Sequence, residues 1–234
     1  MKILLKKEIP DRMGLYEHFW SETLCGWVKD GYPVKKVHKK EGETKWDEET
    51  GRYVKVEKEN DYIQPVDTGE YFNYDIVNCG GWFDTALFPG RNEVIEETEE
   101  WQIIKDGRGS ILKWWKKKSG TPEHIDFEIE TSEIWKKYRE ILSETKKERL
   151  GDVNGIKENL KKVKEKGKFS VFGNLFIYEL LRGTIGDKNF LPALLLEPEW
   201  IKDFCQLYTD FYIKHYEILF REAGLPDGFF LYED

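Results

Sequence analysis

Gly228-Phe229-Phe230-Leu231-Tyr232-Glu233-Asp234 closes the chain, and its reading decides the fold. An uncharged aromatic and apolar run of this length reads as a short buried strand. Two carboxylates follow it. In a barrel of alternating strands and helices, the C-terminal ends of the strands carry the chemistry. Glu233 and Asp234 are therefore candidate catalytic acids. The edge beyond them is expected to be completed by a second-half polypeptide or a second copy.

Working backwards, the longest helical stretch runs from about Glu197 to Ala223, with Pro198 in its first turn and Gly224 beyond its end. Its apolar stripe is Ile201, Phe204, Tyr208, Phe211, His215 and Ile218, so His215 reads as a satisfied core histidine. Phe169-Ser-Val-Phe-Gly173 is a second buried strand. A short helix ended by Gly183 follows it over Phe176–Arg182, and another begins at Asp187. Upstream lie two amphipathic helices. One is capped by Thr131 or Ser132 and buries Ile134, Tyr138, Ile141 and Leu142. The other runs over 154–166 through Ile156, Leu160 and Val163 and stops at Gly167. Strand–helix–strand alternation predicts parallel α/β structure.

The first half supplies two more candidate strands, at 14–19 and at 72–79, the latter followed by Gly80-Gly81. A helix opens at Ser21 and ends near Asp30-Gly31. With 169–174 and 228–233 these give about four parallel strands, and the expected fold is a partial TIM-type (β/α)8 barrel. Residues 1–234 form one C-terminally incomplete domain in this reading, with two insertions. Residues 36–66 are rich in Lys and Glu and read as an exposed excursion with a weak hairpin near Lys45–Tyr53. Residues 93–117 read as a β-hairpin, because Asp106-Gly107 separates two apolar and aromatic runs.

Composition narrows the function. The 234 residues include nine Trp, twelve Tyr and fourteen Phe, an apolar content that a disordered chain lacks. The net charge of −8 argues against nucleic-acid binding, which needs clustered cations. Cys25, Cys79 and Cys205 form no CxxC pair, so no closed zinc site is written here. No apolar run reaches the ~18 residues that span a bilayer. The expectation is a soluble cytoplasmic protein that binds neither nucleic acid nor membrane.

No phosphate-binding glycine loop, nucleophile elbow or metalloprotease motif occurs. What remains is polar residues at expected strand ends: Glu17-His18 after the first, Asp75 and Asn78 flanking the second, Asn174 and Glu179 after the third, Glu233-Asp234 after the last. A lone carboxylate after a strand is ordinarily a helix cap or a solvated loop residue. Gathered on one face of a barrel, such groups acquire meaning. Glu17, His18, Glu233 and Asp234 are the catalytic candidates, since a carboxylate beside an imidazole suits acid–base work. Asp75, Asn78, Asn174 and Glu179 are the substrate-binding candidates.

Four stretches carry a family resemblance: Asp11-Arg-Met-Gly-Leu-Tyr-Glu-His-Phe-Trp-Ser-Glu-Thr-Leu24, Glu70-Tyr-Phe-Asn-Tyr-Asp75, Val94-Ile-Glu-Glu-Thr-Glu-Glu-Trp101 through Gly120-Thr-Pro-Glu-His-Ile-Asp-Phe127, and Phe172-Gly-Asn to Tyr232-Glu-Asp234. Together they resemble the uroporphyrinogen decarboxylase superfamily, which also holds cobalamin-related methyltransferases. The resemblance implies the N-terminal part of a TIM-type barrel with its cleft at the strand ends. It departs from true decarboxylases in two places. Their Arg-Gln-Ala-Gly-Arg motif is replaced by Glu17-His-Phe-Trp20, and their active-site tyrosine falls near Glu179. Acids at both places would repel a substrate that carries eight carboxylates. The methyltransferase-like branch therefore fits better, acting on a methyl-corrinoid or a corrinoid protein. Its zinc is held by ligands from the second half, so no metal ligand is expected in this chain. Porphyrinogen decarboxylation and a non-catalytic truncated product are the alternatives.

Overall fold

The computed structural model describes residue 9, residues 12–116 and residues 120–233. Helix α1 (Ser21–Lys29) has Trp20 at its N-cap and ends at the Asp30-Gly31 turn. The charged excursion folds as two antiparallel pairs. β1 (Val34–Lys39) and β4 (Asn60–Pro65) form one, and β2 (Thr44–Trp46) and β3 (Tyr53–Lys55) form the other. The hairpin expected near Lys45–Tyr53 is β2–β3. Its turn is held by the Asp47 carboxylate, which accepts from the Thr50 backbone N–H (2.9 Å) and hydroxyl (2.7 Å).

A single helical turn, α2 (Thr68–Tyr71), is capped by Asp67 and leads into β5 (Ile76–Asn78). The expected 93–117 hairpin is the centre of a larger unit. β6 (Asn92–Glu97), β7 (Trp101–Asp106), β8 (Ser110–Trp115) and β9 (Glu123–Phe127) form a four-stranded antiparallel sheet. At the predicted turn, Asp106 accepts from the backbone N–H groups of Arg108 and Ser110, each at 2.9 Å. That bond pattern pairs Ile104 with Leu112, and both are buried.

Thr131 caps α3 (Ser132–Tyr138), and Asp152 caps α4 (Val153–Glu165). β10 (Phe169–Leu175) follows, then α5 (Ile177–Ile185), α6 (Asp187–Leu196), α7 (Pro198–Ala223) and β11 (Gly228–Tyr232). Helix α5 runs through Gly183, where a stop was expected. It ends instead at Gly186, whose φ of +81° takes it out of the helical region.

No (β/α)8 barrel, whole or partial, is formed by these elements. The parallel part is one small sheet in the order β11-β10-β5, and the larger sheet is the antiparallel one. Residues 14–19 are extended but form no strand. Their backbone link to β5 is the Leu15 carbonyl, which accepts from the N–H groups of Asp75 (3.0 Å) and Ile76 (3.4 Å). The reason is geometric. Barrel closure needs many tilted, staggered strands, whereas an apolar strand followed by a helix predicts only a parallel neighbour. Three of the four expected parallel strands do form, and the fold around them is mixed α/β.

β10 is the central strand, buried from Ser170 to Asn174. One of its faces meets α7, which buries Trp200, Ile201, Phe204, Tyr208, Phe211, Tyr212, His215, Tyr216 and Leu219. Each Phe, Ile or Leu among them contributes about 1.5–3 kcal/mol by leaving water. His215 is a core histidine, as its stripe predicted: Nδ1–H donates to the Phe211 carbonyl (2.7 Å) and Nε2 accepts from the Lys146 N–H (3.4 Å). On the opposite side Gly173 allows close approach. A Cβ there would stand 2.8 Å from the Asn78 amide nitrogen and 2.9 Å from the Trp82 indole nitrogen. Among the described residues, no helix is long and apolar enough to cross a membrane.

Candidate functional site

The face of the parallel sheet away from α7 carries aromatic side chains. Tyr16 packs on Phe230 (5.6 Å between centroids) and Tyr74 (6.3 Å), Phe230 on Tyr232 (4.9 Å), and Tyr232 on Trp82 (5.6 Å). These residues come from distant parts of the chain. β11 alternates, so Phe229 turns to Tyr216 and Phe220 of α7 while Phe230 turns the other way.

Beside this face a cleft of about 850 Å³ lies along β5. The extended segment at Tyr16–His18, helix α2 and the C-terminal turn of α4 form its walls. That volume is within the range of small-molecule sites. Glu17, His18 and Asn78 all line it, so three of the eight residues singled out from the sequence converge here. Glu17 Oε1 accepts from the His18 backbone N–H at 2.8 Å, and Asn78 Oδ1 accepts from the Gly80 N–H at 2.9 Å.

The charges of the cleft are divided. Lys162, Lys166 and Lys168 stand on the α4–β10 wall, while Glu17, Asp67 and Glu70 come from the opposite elements. Among the described residues, none of the three lysines forms an ion pair; their neighbour Lys164 donates instead to the Leu225 carbonyl (2.5 Å). Burial raises the hydroxyl pKa of Tyr16, with further upward pushes from Tyr232, Glu17 and Tyr74. Burial also raises that of Tyr74. Both phenols are therefore neutral donors at physiological pH.

The other expected site residues are engaged elsewhere. Asp75 accepts from Arg12 (2.7 Å) and from the Leu15 N–H (2.8 Å), which pins the N-terminal segment to β5. Asn174 is buried toward α7 and donates to the Gly81 carbonyl and to Tyr216. Glu179 holds Arg182 at 2.7 Å. Glu233 accepts from the Tyr178 N–H (3.0 Å) in the first turn of α5, a helix-capping role. Asp234 lies outside the described residues.

Paired acid–base chemistry is not assembled here. Glu17 and Glu233 meet backbone donors rather than each other or His18. No group of three or more His, Cys, Asp or Glu is placed to hold a metal among the described residues. The thiol of Cys79 is pushed up to about 11 by burial, and those of Cys25 and Cys205 are also raised by burial. They are protonated at neutral pH and are not thiolate nucleophiles. The lysine wall has no signature in the apolar stripe of α4, the Ile156, Leu160 and Val163 face by which that helix is recognised. The spacing of four between Lys162 and Lys166 does signal a shared helix face, but nothing local shows which cleft that face borders. No family model, no curated protein and no solved structure matches this chain.

Proposed function

We propose that this chain is a ring-binding protein related to the uroporphyrinogen decarboxylase superfamily, of the methyltransferase-like kind. Its cleft along β5 takes the edge of a methyl-corrinoid or a related tetrapyrrole-derived ring. The single observation that carries the reading is the convergence of Glu17, His18 and Asn78 on one cleft of about 850 Å³. The resemblance supplies the class of ring. The aromatic face formed by Tyr16, Phe230, Tyr232 and Trp82 supplies a surface on which a flat macrocycle packs.

In this reading the chain binds and orients. Tyr16 donates a hydrogen bond to a ring substituent, and Glu17 and His18 contact the exposed edge of the ring. The groups that make and break bonds come from a second polypeptide or a second copy. The lysine wall favours a second reading, a polycarboxylate porphyrinogen. Lys162, Lys166 and Lys168 would meet its carboxylates and offset the repulsion from Glu17.

Equilibrium dialysis of the purified chain against methylcobalamin and against uroporphyrin separates the two. Saturable methylcobalamin binding, weakened about tenfold by Tyr16→Ala, supports the corrinoid reading. Preferential uroporphyrin binding that falls when Lys162 and Lys166 are changed to Glu supports the porphyrinogen. Saturable binding of neither ring overturns both.

A further inference from the structure

At the ends of α1 and α2, four aromatic rings line a smaller, open hollow of about 350 Å³. Trp27 and Tyr32 come from the end of α1, and Tyr71 and Phe72 from the end of α2. The local sequence builds the first pair. Asp30 caps α1, and Gly31 takes a φ of +100°. The Tyr32 N–H then donates to the Trp27 carbonyl (2.7 Å) and the Gly31 N–H to the Val28 carbonyl (3.2 Å). These are the two bonds of a Schellman motif, which brings the side chains before and after the helix end together. The rings of Trp27 and Tyr32 lie 5.9 Å apart as a result. The Tyr32 hydroxyl donates to the Val66 carbonyl at 3.1 Å and fixes that ring from its far end.

The second pair meets the first at steep angles. Tyr71 stands at 63° to Tyr32 and 81° to Phe72, and Phe72 at 67° to Trp27. These rings pack edge to face on one another and together form the wall of an open surface hollow. Phe19 packs behind Trp27 at 4.6 Å and supports that wall. The rim carries Asp30, whose carboxylate forms no ion pair among the described residues. Among the described residues, the lysines and arginines that lie over rings do so elsewhere, as Arg91 does over Phe88 at 3.8 Å. The end of α1 adds the negative pole of a helix dipole.

We propose that this hollow is a cation cage for a small methylated ammonium compound, of the choline or betaine class. Aromatic faces attract cations through their quadrupole, and methylation favours such a site by removing the water shell that a bare ammonium keeps. A neutral ligand of the same shape gains only the apolar contact. A free anion is repelled by Asp30 and by the ring faces. The cage goes beyond the ring-binding reading and stands or falls apart from it.

Isothermal titration of the full chain with tetramethylammonium and with choline tests the proposal. Both should bind saturably, and the neutral isostere 3,3-dimethylbutan-1-ol should bind about tenfold or more weakly. Tyr71 is 53% exposed and Asp30 is exposed, so Tyr71→Ala and Asp30→Asn test the cage without opening the core. Tyr71→Ala should weaken choline binding about tenfold and Asp30→Asn about threefold, with the melting temperature unchanged. Methylcobalamin binding should be the same in both variants. No saturable binding of either ammonium, equal binding of the neutral isostere, or choline affinity unchanged in both variants overturns the cage.

Discussion

β10 and β6 are strands of similar length at opposite extremes. β10 is buried from Ser170 to Asn174, while every residue of β6 is exposed, Val94 at 49% and Ile95 at 53% included. β10 lies between two parallel neighbours with α7 across one face. β6 is the edge of an antiparallel sheet and pairs with β7 alone. The difference teaches where the stability resides. The main core cluster is drawn almost wholly from 79–87 and 129–223, and the outer hairpins add backbone pairing around it.

Substitutions should separate the two regions most sharply. Phe204 is 0% exposed in α7. Phe204→Ala should cost about 3–5 kcal/mol by transfer and cavity formation. Val94→Ala in β6 should stay within about 0.5 kcal/mol. Urea unfolding of both variants checks the contrast, and comparable losses would mean that β6 shares the core.

Two histidines should make the same distinction with pH. Burial holds the pKa of His215 below the usual range, against a backbone hydrogen bond to Phe211 that raises it. A depressed histidine favours the folded state while neutral. Its contribution is full above the unfolded pKa of about 6.5 and falls as pH drops below it. The midpoint of urea unfolding should therefore decrease from pH 7.5 to 5.5, and His215→Phe should flatten that decrease. An unchanged slope in the variant would assign the acid sensitivity to other groups.

His38 sits in the antiparallel excursion and has the opposite sign. Hydrogen bonds to Asp61 and Glu59, each at 3.0 Å, raise its pKa. Its contribution is present below about 6.5 and is lost as pH rises through the folded value. The site is fully exposed, so the effect should be small and local. Hydrogen exchange corrected for intrinsic rate should show β1–β4 slightly better protected at pH 5.5 than at pH 8, and His38→Gln should remove the difference.

Much of the secondary structure was legible because the signals were local. The Asp106-Gly107 turn, the Thr131 cap, the Gly167 stop and the long stripe of α7 each depend on residues within one or two turns of chain. The same holds for three parallel strands, whose apolar runs are bounded by helices or by glycine. The candidate site was legible only in part. Glu17, His18 and Asn78 share the cleft, but Glu179 and Glu233 serve a neighbouring helix, and Asn174 points into the core. A carboxylate after a strand looks alike in sequence whether it caps a helix or faces a ligand.

Periodicity and punctuation by themselves determined the main helices of the second half, the hairpins at 45–53 and 93–117, three of the strands, and that a parallel α/β unit lies in the second half. Only the tertiary structure decided that the parallel sheet holds three strands rather than forming part of a barrel. It also decided that Lys162, Lys166 and Lys168 face Glu17 across a cleft, and that Trp27 and Tyr32 meet Tyr71 and Phe72. Local energies set φ, ψ and side-chain period. Sheet closure, cleft and cage depend on contacts between residues some forty to one hundred and fifty positions apart, and no short window of sequence records them.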